Sequence, residues 1–253
     1  MSPALPAGFT ARPFAHRALH DRTAGRVENA PASVAAAVAA GYGIEIDLQV
    51  SADGAAMVFH DATLDRLTAE AGPLRARSTA ELGGIALTGS TETIPTLAQV
   101  LALVAGRVPL LIELKDQSGR MAGSDGALEA ATARALAGYR GPVALMSFNP
   151  DMVTRLATLA PTIPRGLVTC GWSDRDAPAL PEAERARLRA IPDLARSGAS
   201  FISHHWRDLA RPRVAELKAA GLAVLCWTVR SPAEEAEARR VAGQITFEGY
   251  LPA

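Results

Sequence analysis

Short apolar runs alternate with amphipathic segments along the whole chain, and this alternation predicts a repeated strand–helix unit. Strand candidates are "RPFAH" at 12–16, "GIEIDLQV" at 43–50, "PLLIELK" at 109–115 and "VALMSF" at 143–148. They continue with "GLVTC" at 166–170, "ASFISHH" at 199–205, "LAVLCWTV" at 222–229 and "QITFEGY" at 244–250. Between them, Pro31 opens and Gly41 closes a helix, and Asn149 with Pro150 gives another start signal. Thr96 with Gln99 reads as a capping box ahead of Leu97, Val100, Leu101 and Val104 at helical spacing, and Ser231 with Glu234 reads as a second. A further helix is predicted from about Ser124 to Ala137, and the Arg- and Asp-rich segment 171–197 reads as part loop, part helix.

Eight strand candidates in 253 residues match the ~250 residues typical of a (β/α)8 TIM barrel. The apolar run at 55–61 and the polar stretch after it make a short insertion following the second strand. An open doubly wound sheet is the other solution, because periodicity does not show closure. No repeat or Pro/Gly-rich linker divides residues 1–253, so a single domain is expected. A barrel places its chemistry at the carboxyl ends of the strands.

Within the second strand, Glu45 and Asp47 are two residues apart and share a face, while Ile44, Ile46 and Leu48 take the other. Glu113 and Lys115 repeat the arrangement in the next barrel strand. Three carboxylates converging inside a barrel mouth repel unless a positive charge lies among them. One divalent cation that prefers oxygen ligands, Mg2+ or Ca2+, is the natural counter-charge. No Cys–His cluster at zinc spacing competes with it. Taken singly, each carboxylate could instead pair with an arginine or face solvent.

His16 ends the first strand and His60 ends the run after the carboxylate strand, a pair suited to act as general acid and base. His20, His204 and His205 have no comparable setting and read as structural. Arg17 adjoins His16, and together with Lys115 it could hold a phosphate. The chain has 24 arginines and only two lysines, so a lysine on the inner face of a strand invites a local explanation. Trp227 could be an apolar wall for a substrate or simply core.

Charge and composition narrow the partners. Zero formal net charge gives no global field for nucleic acid or an anionic membrane. No apolar run approaches the ~20 residues of a spanning helix, and the first residues lack the features of a secretory signal. Cys170 and Cys226 lie in apolar runs and read as buried free thiols in a reducing compartment. A soluble, cytoplasmic protein without stable membrane insertion is expected.

The motifs "AHRA" at 15–18, "ENAPAS" at 28–33, "GIEIDLQVSADGAAMVFHDATLDRLT" at 43–68, "IPTLAQVL" at 94–101 and "LLIELK" at 110–115 resemble the glycerophosphodiester phosphodiesterase family. "MSF" at 146–148 and "CWTV" at 226–229 fit its later strands. The resemblance implies a TIM barrel that hydrolyses a small-molecule glycerophosphodiester to glycerol 3-phosphate and an alcohol. It also implies a metal on Glu45, Asp47 and Glu113, an acid–base pair in His16 and His60, and phosphate contacts from Arg17 and Lys115. Three departures stand out: Ala18 where the family has glycine, Arg230 where it has asparagine, and "FEGYLPA" in place of an Asp-x-Pro signature. The stretch from His60 to Pro95 is also short for the family's insertion. Two other readings remain open, a phospholipase D- or C-like enzyme acting on lysolipids and a phosphodiester-binding barrel without turnover. Low aromatic content, 5%, weakens the first, and retention of the full residue set weakens the second.

Overall fold

The computed structural model describes residues 3–253. The chain divides into two compact units, one of residues 14–115 and 125–143, the other of the residues through Pro13, 116–124 and 144–253.

In the first unit, strand β1 (Phe14–Ala15) is followed by helix α1 (Pro31–Ala40), β2 (Gly43–Val50) and β3 (Ala56–Val58). Helices α2 (Thr79–Leu82) and α3 (Leu97–Val104), strand β4 (Leu110–Leu114) and helix α4 (Ala127–Leu136) complete it. Pro31 stands at the first turn of α1, and Gly41 closes it in the left-handed region at φ 73°. The Thr96–Gln99 capping box forms in full at the start of α3. Helix α4 begins later than the pattern predicts because Gly126, at φ 82°, turns the backbone just before it. Helix α2, opened by a Ser78–Glu81 capping box, lies in the polar stretch. At four residues it is too short to show a hydrophobic period.

Every residue of β2 is buried. Ile44, Ile46 and Leu48 point away from Glu45 and Asp47, and helices α1 and α4 pack against this strand. Burying an aliphatic side chain contributes about 1.5–3 kcal/mol, so this face fixes the strand and thereby the direction of its carboxylates. Strand β3 folds back antiparallel on β2, with Leu48 opposite Val58. It stands outside the ring of barrel strands, and Met57, Phe59, Leu64 and Leu67 of the insertion share an apolar cluster with Val27 and Ala30 of the segment before α1.

The second unit contains all but the first residue of β5 (Val143–Ser147), then α5 (Pro150–Leu159), β6 (Arg165–Thr169), α6 (Glu182–Arg189) and α7 (Leu194–Ser197). It ends with β7 (Phe201–His205), α8 (Pro212–Ala219), β8 (Ala223–Val229), α9 (Pro232–Ala238) and β9 (Gln244–Phe247). The segment 171–197 is part loop and part helix, as its composition suggested. Asn149 caps α5 by accepting from the Asp151 N–H. The second capping box forms only by half: Ser231 accepts from the Glu234 N–H, but the Glu234 carboxylate accepts from Arg230 instead of Ser231. Cys170 and Cys226 are free and buried, and burial pushes both thiols up to about 12.

The sheet order is β1-β9-β8-β7-β6-β5-β4-β2-β3, and β1 also pairs with β2, so eight strands close into a parallel TIM barrel with β3 appended. The open doubly wound alternative is excluded by that closing pair. Among the described residues no helix is long and apolar enough to cross a membrane.

Phe14 lies opposite Gly43 in the β1–β2 register. A Cβ on Gly43 would come within 2.8 Å of the Phe14 ring, so the strand approach that places His16 depends on this glycine. Gly43→Ala is therefore expected to destabilise the fold by about 1–3 kcal/mol, read as a lowered urea midpoint; an unchanged midpoint would contradict this packing account.

Candidate active site

The parallel β2–β4 register sets Asp47 directly opposite Glu113, and Glu45 lies two residues earlier on the same face of β2. One oxygen from each of Glu45, Asp47 and Glu113 lies within 4.8 Å of the others, and all three residues are buried. Lys115 Nζ reaches Asp47 Oδ1 at 2.7 Å and Glu113 Oε1 at 2.6 Å. Burial pushes the Glu45 carboxyl well above its ordinary range, and repulsion from Asp47 and Glu113 adds to it. Burial likewise raises Glu113, more than Lys115 lowers it. Asp47 is also penalised by burial, but Lys115, then His60, Arg17 and His16, outweigh this and hold it below the carboxylate range. Burial lowers the Lys115 amine, yet Asp47 and Glu113 reverse this and raise it overall. Three buried carboxylate oxygens at this spacing fit a hard divalent cation, so the donor set suits such an ion.

Hydrogen bonds from the loop after β1 and from the segment before α1 fix these carboxylates. The Arg17 backbone N–H donates to Glu45 Oε2 at 2.9 Å, and the Ala18 N–H donates to the Glu45 carbonyl. Asn29, buried at φ 60°, donates from Nδ2 to Asp47 Oδ2 at 2.9 Å, and its own N–H bonds the Arg17 carbonyl. Ala18 takes the left-handed backbone region at φ 64°, where glycine is favoured. The departure from glycine thus leaves the turn in place at a cost of about 1–2 kcal/mol.

His16 follows β1 directly. His60 is carried by the insertion: the Phe59 N–H bonds the Asp47 carbonyl, and Gln49 Nε2 donates to the His60 carbonyl at 2.9 Å. His60 Nδ1 lies 2.6 Å from Asp61 Oδ1. Burial pushes the Asp61 carboxyl up, but hydrogen bonds from Arg66 and His60 leave it lowered and ionised. An ionised carboxylate only accepts, so Nδ1 carries the proton and Nε2 is the nitrogen left to take one. The imidazole pKa is lowered to about 4, first by burial and then by the charge of Lys115. Arg17 places Nε 3.7 Å from Asp47 Oδ2 and donates from Nη1 to Glu28 at 2.7 Å. Burial works against Glu28 ionising, but Arg66 and Arg17 hold its carboxyl down at about 2.

Hydrophobic patterning missed Asn29, Glu28, Asp61, Arg66 and Gln49. Gln49 was available, since it continues the alternation of Glu45 and Asp47 on the same strand face. The others sit in loops, where no period applies.

The second unit holds Trp227, whose Nε1 donates to the Ser203 carbonyl at 3.0 Å. Its ring lies edge-on to Phe148 at 5.5 Å and tilted to His205 at 5.1 Å. His204 is buried between Thr169 Oγ1 at 2.7 Å and Asp208 Oδ2 at 3.1 Å, in keeping with a structural role. Two of the sequence departures meet: Arg230 pairs with Glu248 of "FEGYLPA" at 2.6 Å.

The family profile described as "Glycerophosphoryl diester phosphodiesterase family" matches residues 16–246. The Bacillus subtilis (strain 168) protein YhdW, assigned by name to the glycerophosphodiester phosphodiesterases, is 27% identical over 215 residues, covering 80% of this chain and 81% of its own. A solved Oleispira antarctica phosphodiesterase in complex with the product sn-glycerol-3-phosphate is 25% identical, with a TM-score of 0.76 over 96% of this chain and 93% of that one. A Thermotoga maritima glycerophosphodiester phosphodiesterase, 19% identical with a TM-score of 0.69 over 92% of each chain, shares the fold.

Because the folded pKa of His60 is depressed to about 4, its stabilising contribution is present above the unfolded pKa of about 6.5 and is lost as pH falls through the folded value. A 15N-detected titration of the imidazole is expected to show His60 neutral at pH 6 and protonating near pH 4. A midpoint at 6.5 or above would contradict this environment.

Proposed function

Since the chain belongs to the glycerophosphoryl diester phosphodiesterase family, we propose that it hydrolyses glycerophosphodiesters to glycerol 3-phosphate and an alcohol, using one divalent cation and two histidines. The observation that carries this reading is the convergence of Glu45, Asp47 and Glu113 on one buried point, with Lys115 and Arg17 against them and His60 tied to the same strand. The product complex of the Oleispira antarctica relative supports a small phosphodiester as the substrate.

Glu45, Asp47 and Glu113 would hold the cation, Mg2+ or Ca2+. When bound, such an ion supplies Lewis-acid stabilisation of negative charge developing on the phosphoryl oxygens. Arg17 and Lys115 add preorganised positive charge for the same transition state, the first as a planar fork and the second as a compact charge. One histidine removes a proton from the nucleophile as its bond to phosphorus forms. The other protonates the alkoxide released as the ester bond breaks. The Nδ1–H tautomer of His60 leaves Nε2 to take a proton and favours it as the base, which leaves His16 as the acid. The nucleophile is water or the glycerol 2-hydroxyl, the latter closing a cyclic phosphodiester that is then hydrolysed.

Glycerol 3-phosphate release from a panel of glycerophosphodiesters tests the reading. His60→Ala is expected to lower kcat by about 10²–10⁴, and exhaustive chelation to abolish turnover until Mg2+ or Ca2+ is restored. Full activity in His60→Ala, or with no metal left, would overturn the mechanism; inactivity on every glycerophosphodiester would overturn the substrate assignment.

A further inference from the structure

Arg66 lies in the insertion, within the "DRLT" stretch, and it is 42% exposed. It nevertheless makes two forked ion pairs. Nε and Nη2 donate to the two Asp61 carboxylate oxygens at 2.5 and 3.1 Å. Nη1 and Nη2 donate to the two Glu28 oxygens at 2.9 and 2.7 Å. Asp61 in turn holds His60 Nδ1 at 2.6 Å, and Glu28 holds Arg17 Nη1 at 2.7 Å. A single guanidinium therefore joins the carboxylate that orients the imidazole to the carboxylate that orients the phosphate-facing arginine. Isolated surface ion pairs contribute little, but paired forks in a network fix geometry.

We propose that Arg66 is a positioning residue that sets His60 through Asp61 and Arg17 through Glu28, a role that rests on the phosphodiesterase reading above. The chain of contacts is Arg17–Glu28–Arg66–Asp61–His60, in which guanidinium and carboxylate groups alternate up to the imidazole. It spans from the loop after β1 to the loop after β3, two segments that no strand pairing ties to each other. Without the guanidinium, Asp61 and Glu28 lose their common anchor and two site groups move independently. A misplacement of about 1 Å costs on the order of 100-fold in rate. Lysine would keep the charge but has no planar fork, so it would not restore both pairs.

The test combines kinetics with a spectroscopic signal from His60. Arg66→Met is expected to lower kcat about 100-fold and raise KM, and to shift the 15N resonance of His60 Nδ1 as the tautomer is released. Arg66→Lys is expected to behave similarly and serves if the methionine variant does not fold. Arg75→Met, which removes another exposed pair on the insertion, with Asp125, is expected to leave both readouts unchanged. A folded Arg66 variant with wild-type kcat and an unmoved His60 resonance would overturn the proposal. If the wild-type protein turned over no glycerophosphodiester, the phosphodiesterase reading would fall. The His60 resonance would then decide the positioning role by itself, a shift supporting it and no shift overturning it.

Discussion

Three carboxylates inside a closed barrel, with oxygens within 4.8 Å of one another, are the constraint around which the first unit is arranged. Two unit charges 4 Å apart repel by about 4 kcal/mol at an effective dielectric constant of 20. Burial adds to this by removing water that would otherwise screen them. Such a cluster persists only where the backbone cannot relax and compensating groups are close. Lys115, the Arg17 N–H and Asn29 supply part of the compensation. Burial still outweighs them at Glu45 and Glu113, whose carboxyls stay raised.

The fold meets this constraint with ordinary strand geometry. Apolar Ile44, Ile46 and Leu48 clamp β2 beneath its helices, so Glu45, Asp47 and Gln49 share the opposite face. Strand β4 then brings Glu113 across from Asp47 through parallel register, and Lys115 follows two residues later. Backbone pairing extends the order into the loops: Asn29 bonds Arg17, and Phe59 bonds Asp47. Loops that are otherwise free to vary are thereby tied to a fully buried strand of the unit. Arg66 adds a second tie, made from side chains instead of backbone.

Much of this was legible from residue order. Alternation in "GIEIDLQV" and "LLIELK" separates a packing face from a polar face, and it picked out the carboxylates that the structure gathers. The rarity of lysine drew attention to Lys115. Periodicity alone did not show closure, because the β1–β2 pair joins segments whose own patterns say nothing about each other; the barrel expectation came from strand count, chain length and the family motifs. Nor was the antiparallel strand β3, since a three-residue strand carries too few positions to show a period. Glu28, Asn29, Asp61 and Arg66 were invisible to periodicity for another reason: their partners are set by loop geometry, and polar loop residues look alike in sequence. The Arg230–Glu248 pair shows the same limit, two departures 18 positions apart that become partners in space.

We propose that a divalent cation balances the three buried carboxylates Glu45, Asp47 and Glu113. The most direct measurement is a crystal structure grown with Mn2+ as an anomalously scattering surrogate, in the presence of glycerol 3-phosphate. An anomalous peak ligated by these three carboxylates is expected. Manganese bound elsewhere, with this site left to Lys115 at saturating metal, would contradict it.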